Sequence, residues 1–146
     1  MKLKSVAVLK AAVIVCAVLS VGVAVAAPWI VDWYAKIRPL EPIMSTTLLI
    51  CYYICMIPTL IALYSMLRVL IHIQKKHPFE HVALRYLGII SWCCLAVAVV
   101  CAGGAYWYLP LAFISAAMVF LFLTVRVVNS CFLVGTMLQE ENDLTV

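Results

Sequence analysis

The 146 residues are 68% hydrophobic and 11% charged, with a mean hydropathy of +1.18. A soluble domain averages about 45–50% apolar and about 25% charged residues, so water is excluded as the main solvent. The net charge of +4 comes from residues scattered at the ends of apolar stretches. That pattern sets membrane orientation and excludes a continuous basic surface for direct nucleic-acid binding.

Charges mark the span boundaries. Between Lys10 and Asp32 lie 21 uncharged residues, and between Glu41 and Arg68 lie 26; about 20 are enough to cross a hydrocarbon core. From Tyr86 to Val125 run 40 uncharged residues, interrupted by the turn formers Gly103, Gly104 and Pro110. That length makes two spans joined by a tight hairpin. The expected architecture is all-α: a single integral membrane four-helix transmembrane bundle over residues 1–146, with spans at about 8–31, 43–67, 86–105 and 110–133. A cytoplasmic loop is expected at 68–85 and an acidic tail at 139–146.

Basic residues near span ends are retained in the cytoplasm. Lys2, Lys4 and Lys10 precede span one, and Arg68, Lys75, Lys76 and Arg85 stand against the single acid Glu80 in the 68–85 segment. The first loop balances Asp32 and Glu41 against Lys36 and Arg38, and the hairpin is uncharged. Both termini are therefore expected inside. Trp29, Trp33 and Tyr34, with Tyr106, Trp107 and Tyr108, then fall together at the outer interface, where such rings prefer to sit. A competing reading makes the first segment a signal peptide ending at Ala24-Val25-Ala26; its apolar stretch, running on to Val31 and interfacial aromatics, favours an uncut span.

Membrane catalysts and ion pathways place ionisable groups within the bilayer. Spans one to three hold no Asp, Glu, Lys, Arg or His inside their apolar limits, which speaks against proton-coupled transport. No nucleophile–base constellation, glycine-rich phosphate loop or carboxylate pair assembles at one depth, so no enzyme and no cofactor is expected. The seven cysteines form no C-x-x-C pair and no zinc-ligand spacing, and read as buried small hydrophobes. His72, His77 and His81 lack a carboxylate partner set at ligand spacing, and no metal is assigned to them.

Arg126 follows Pro110 by 16 residues, about 24 Å of helix. It reads as a snorkelling side chain near the inner headgroups, or as an anchor for a lipid phosphate or for Glu140, Glu141 or Asp143. The polar side chains of span two, Tyr52, Tyr53, Thr59 and Tyr64 among them, with Pro58 as a kink, suit interhelical hydrogen bonding or the lining of a small cavity. Ala98-x-x-x-Ala102 permits close helix contact and a homo-oligomer.

After Leu138 the chain turns acidic through Glu140, Glu141 and Asp143 and ends in Leu144-Thr145-Val146. Such a tail can dock on the basic loop, be offered to a cytoplasmic protein, or fray in solvent. Leu138 to Val146 resembles the Leu-x-x-Glu-x-Asp-Leu-Thr-Val ending of the bacterial family known as domain of unknown function 2975. His77-Pro78-Phe79 followed by Leu84-Arg85-x-x-Gly88 is similar to that family's Asn-Pro-Phe and Leu-Arg-x-Ile-Gly, with His77 as a departure from the usual Asn. The resemblance implies a four-span membrane protein with no established activity, often accompanied by a small helix-turn-helix regulator. Besides membrane lipids, such a regulator is then the expected partner, with Lys75, Lys76, Phe79, Arg85, Arg126 and the tail acids as contact residues. The alternative function is a small transporter subunit or lipophilic-ligand carrier.

Overall fold

The computed structural model describes residues 3–74 and 80–145. These form four helices in chain order, α1 (Leu3–Ile37), α2 (Pro42–Gln74), α3 (Glu80–Gly104) and α4 (Pro110–Thr145). All four are long and apolar enough to cross a membrane. The expected residues Lys75, Lys76, His77, Pro78 and Phe79 lie outside the described residues.

The helix ends follow local chemistry. The residue before a proline avoids the helical region, so α1 closes ahead of Pro39, with Arg38 N–H donating to the Tyr34 carbonyl at 3.0 Å. Proline fits the first helical position, where its missing N–H costs nothing, and both α2 and α4 begin on one. The Glu41 carbonyl accepts the first amide of α2, from Met44 at 2.9 Å. At the hairpin, Gly104 ends α3 and its carbonyl accepts from both Trp107 and Tyr108 at 3.1 and 3.0 Å. Gly104 is also a packing requirement. A Cβ there would lie 2.7 Å from both Cys51 Sγ and Leu111 Cδ1.

The helices outrun the expected spans. Residues 68–74 complete α2 and 80–85 open α3, so most of the expected 68–85 loop is helix. The tail is helix as well: α4 runs unbroken for 36 residues to Thr145, about 54 Å, in place of a frayed acidic end.

Packing proceeds in chain order. α3 packs most heavily on α4, then on α2, and α2 packs on α1; among the described residues α1 and α4 make no direct backbone approach. One third of the most apolar stretch of α3 is buried, against 11% in each other helix, which makes α3 the hub. Its seam uses small side chains, Ser91 at 0% and Ala98 at 2% exposure, because association in lipid depends on close backbone contact. Within the chain Ala98 carries that contact, while Ala102 is exposed. On α4 the facing stripe is Leu111, Ser115, Met118, Phe122, Val125 and Asn129, all buried or half-buried and spaced alternately four and three apart as in a coiled-coil seam. Large apolar side chains such as Val18, Phe113, Phe120 and Val127 are exposed around the outside and form the surface that lipid covers.

Candidate functional site

Hydrogen bonds between helices gather toward the aromatic end. Pro28 lacks the N–H that would bond the Ala24 carbonyl four residues back. That carbonyl is taken instead by the Tyr53 hydroxyl of α2 at 3.0 Å. Tyr52 donates to the Ser20 carbonyl one turn away at 3.1 Å. The two tyrosines thus fasten α2 to α1, which is the interhelical role expected of them. Ser45, Thr46, Thr47 and Thr59 bond carbonyls of their own helix, at Pro42, Pro42, Ile43 and Cys55. Tyr64 accepts from Arg68 Nε at 2.7 Å.

Beyond these ties the four helices leave an apolar cleft of about 440 Å³. It is lined from α1 by residues such as Ala27, Ile30 and Tyr34, from α2 by Leu48 and Tyr52, from α3 by Val97 and Cys101, and from α4 by Leu111 and Ile114. Cys51 and Cys55 complete the α2 wall. All three cysteines are free thiols, filling the role of small apolar side chains expected for them. The cleft exists because α1 and α4 stay apart along their length while the core of Cys51, Val97, Cys101 and Leu111 holds the other three helices together.

Its rim is polar. The Tyr34 and Tyr108 hydroxyls meet at 3.2 Å, joining α1 to the hairpin before α4. Arg38 follows Tyr34 by one helical turn, its amide bonded to the Tyr34 carbonyl at 3.0 Å, so its guanidinium charge acts on the same rim. Tyr108, in the hairpin, has its phenol held above the ordinary range, first by its hydrogen bond to Tyr34 and then by partial burial, as expected when the bond is made by the neutral donor form.

Arg126 lies elsewhere. Counted at about 1.5 Å per residue from the Tyr34–Tyr108 contact, it is roughly 9 Å nearer the bilayer middle than Lys10. It is exposed, with its guanidinium 6.0 Å from the centroid of the Phe122 ring, one turn closer to the aromatic end. The shallow groove beside it is lined by α4 alone, so Arg126 does not join Tyr52 and Tyr53 along one polar path. The anchoring of Arg126 on Glu140, Glu141 or Asp143 within the chain is ruled out by geometry, because one helix holds them roughly 21–26 Å away. Arg85 is exposed near the start of α3. His72 Nδ1 lies 2.9 Å from the Arg68 carbonyl, and its ring is 6.4 Å from that of Tyr86. Among the described residues no three His, Cys, Asp or Glu side chains converge on a metal position.

Other polar features escaped sequence reasoning besides the Tyr34–Tyr108 pair. Lys10 Nζ donates to Gln74 Oε1, tying α1 to α2 at the basic end. Asn129 Oδ1 is buried and has no hydrogen-bond partner among the described residues. Neither has a local sequence signal, because each depends on which faces of separate helices meet.

Four membrane-length apolar helices, each packed on its neighbour in the chain, define a multi-pass membrane protein of the four-helix type. Residues 2–146 match the family described as "Protein of unknown function (DUF2975)", and the chain belongs to that family. Comparison with curated proteins and with solved structures finds no match.

Proposed function

We propose that this is a non-enzymatic protein of the bacterial cytoplasmic membrane, termini inside, that takes a lipophilic molecule into the cleft between α1 and α4. The observation that carries this reading is the cleft itself. Its volume of about 440 Å³ falls in the range of roughly 300–1,000 Å³ usual for small-molecule sites, and side chains from all four helices line it. A ligand there touches α1 and α4, which do not otherwise pack on one another, so occupancy changes how the two ends of the bundle are held. That favours a sensor of a lipophilic signal over a carrier, whose path would continue across the membrane.

Labelling with a diazirine-bearing fatty acid, followed by peptide mass spectrometry, tests the proposal. Saturable labelling at Ile30 and Ile114, reduced by excess unlabelled fatty acid and abolished by Ile114→Trp, is expected. Equal, non-competed labelling of Ile114 and the lipid-facing Phe120 overturns it.

A second reading concerns output. The unbroken α4 helix favours the acids Glu140, Glu141 and Asp143, with Arg85 and the neighbouring Lys75, Lys76 and Phe79, as a docking face for a small helix-turn-helix regulator. Co-purification of a regulator encoded beside this chain, compared with and without residues 139–146, is the test; equal recovery from both counts against it.

A further inference from the structure

We infer that the molecule received by the cleft carries an anionic head group, held at the rim by Arg38 with the Tyr34 and Tyr108 hydroxyls. This rests on the ligand reading of the cleft and adds the chemistry of its polar end.

Three observations lead there. First, the cleft is amphipathic along its length. Its walls are apolar side chains and thiols, while Tyr34 at one end belongs both to the lining and to the hydroxyl pair with Tyr108. A molecule with an alkyl body and a polar head has one orientation that matches, with the head at the aromatic end.

Second, the rim presents donors. Either hydroxyl of the Tyr34–Tyr108 pair can donate to the other, and whichever accepts keeps a phenolic proton directed away from the pair. Arg38, one helical turn beyond Tyr34 with its amide bonded to the Tyr34 carbonyl, brings the guanidinium donors to the same rim. An alcohol head is neutral and accepts at most two such bonds; a carboxylate or phosphate accepts more, and bonds to an ionised acceptor are the stronger kind.

Third, the cation is uncommitted. Arg38 is exposed just past the end of α1 and forms no ion pair among the described residues, although Asp32 and Glu41 lie on the same stretch of chain. Those two acids and Lys36 are also exposed. Arg38 is distinguished from them by standing one helical turn from Tyr34 of the cleft wall, its amide bonded to the Tyr34 carbonyl. Arginine suits the role because its planar fork binds carboxylate and phosphate through two bonds at once.

The experiment compares two probes of the same chain length, palmitate and hexadecanol, binding to the purified full-length protein in nanodiscs. Wild type is expected to hold palmitate about tenfold more tightly, the scale of one charge-assisted hydrogen bond. Arg38→Gln should bring palmitate down to the affinity of hexadecanol and leave hexadecanol unchanged. Arg38→Lys should restore part of the preference. Decanoyl phosphate, retaining the preference for Arg38, would extend the site to phosphate heads. Equal affinities in wild type, or a palmitate preference that survives Arg38→Gln, overturn the head-group inference and leave the cleft reading standing. Binding of both probes untouched by Ile114→Trp and by Val23→Trp, two half-exposed positions of the lining, overturns the cleft reading itself.

Discussion

The two ends of the bundle are built on different plans. At the aromatic end, residues distant in sequence are joined across helices: Tyr34 to Tyr108, Tyr53 to Ala24, and Ser115 to the Ala98 carbonyl at 2.9 Å. Toward the basic end the tie between α1 and α2 is Lys10 to Gln74, while the last two turns and more of α4 are exposed on every described side. Apolar side chains gain little by meeting one another in lipid, so tight packing and hydrogen bonds decide where membrane helices associate. The aromatic end has both, and the gap it leaves between α1 and α4 is backed by α2 and α3 and bridged at its rim by Tyr34 and Tyr108.

That contrast is most sharply broken at Gly104. Replacing it with alanine drives a Cβ into Cys51 and Leu111, and overpacking of this kind costs about 1–3 kcal/mol, readable as a lowered melting temperature in detergent. Gly88→Ala and Gly135→Ala, nearer the basic end, meet nothing within 4 Å. They should be neutral or stabilising by up to about 1 kcal/mol through helix propensity. Equal losses at all three sites would erase the distinction between the ends.

Tyr53→Phe comes next. Its hydrogen bond serves a carbonyl that Pro28 leaves open, and removing it should cost about 0.6–1.7 kcal/mol, the range for such bonds in membranes. In a Pro28→Ala background the helix supplies its own amide to Ala24, so the same substitution should cost close to nothing. A double-mutant cycle measured by unfolding checks the coupling.

Asn129→Leu probes the opposite sign. A buried acceptor without a partner is a penalty of about 1–3 kcal/mol, so an apolar replacement of similar size should hold or raise stability. A loss comparable to that of Tyr53→Phe would show that Asn129 is engaged in the membrane-embedded protein.

The smallest effect is spectroscopic. Tyr108 ionises above the ordinary value of 10.0 because its neutral form is hydrogen-bonded. The contact therefore contributes fully below that pH and is lost as pH rises through the elevated value. Tyr34→Phe should return the phenol toward 10.0 in an ultraviolet titration.

Much of the fold was legible because charge and hydropathy act one residue at a time. The uncharged runs after Lys10 and Glu41 placed α1 and α2, and Gly103, Gly104 and Pro110 placed the hairpin. The helix ends are not legible in this way, since Arg68 and Arg85 bound the uncharged runs, yet charged residues continue a helix readily once it leaves the hydrocarbon. The tail misled for the same reason: Glu140 and Asp143 are polar without being helix breakers. The tyrosine bonds were foreseen in kind, but the apolar cleft was not. No run of residues encodes it, because its walls come from four helices and its existence depends on α1 and α4 standing apart. Arg126, the one ionisable residue of uncertain depth in the sequence, turned out to face away from every other helix.

Because α4 is one unbroken helix of 36 residues, its far end follows the part seated on α3. Beyond Asn129, the last residue of the seam, it projects for about 24 Å and carries Glu140 and Asp143 near its tip. A change of only about 10° in the direction in which it leaves the seam would sweep that tip through about 4 Å. On the cleft reading, that arm is the part of the molecule where a small change in the seating of α4 becomes largest.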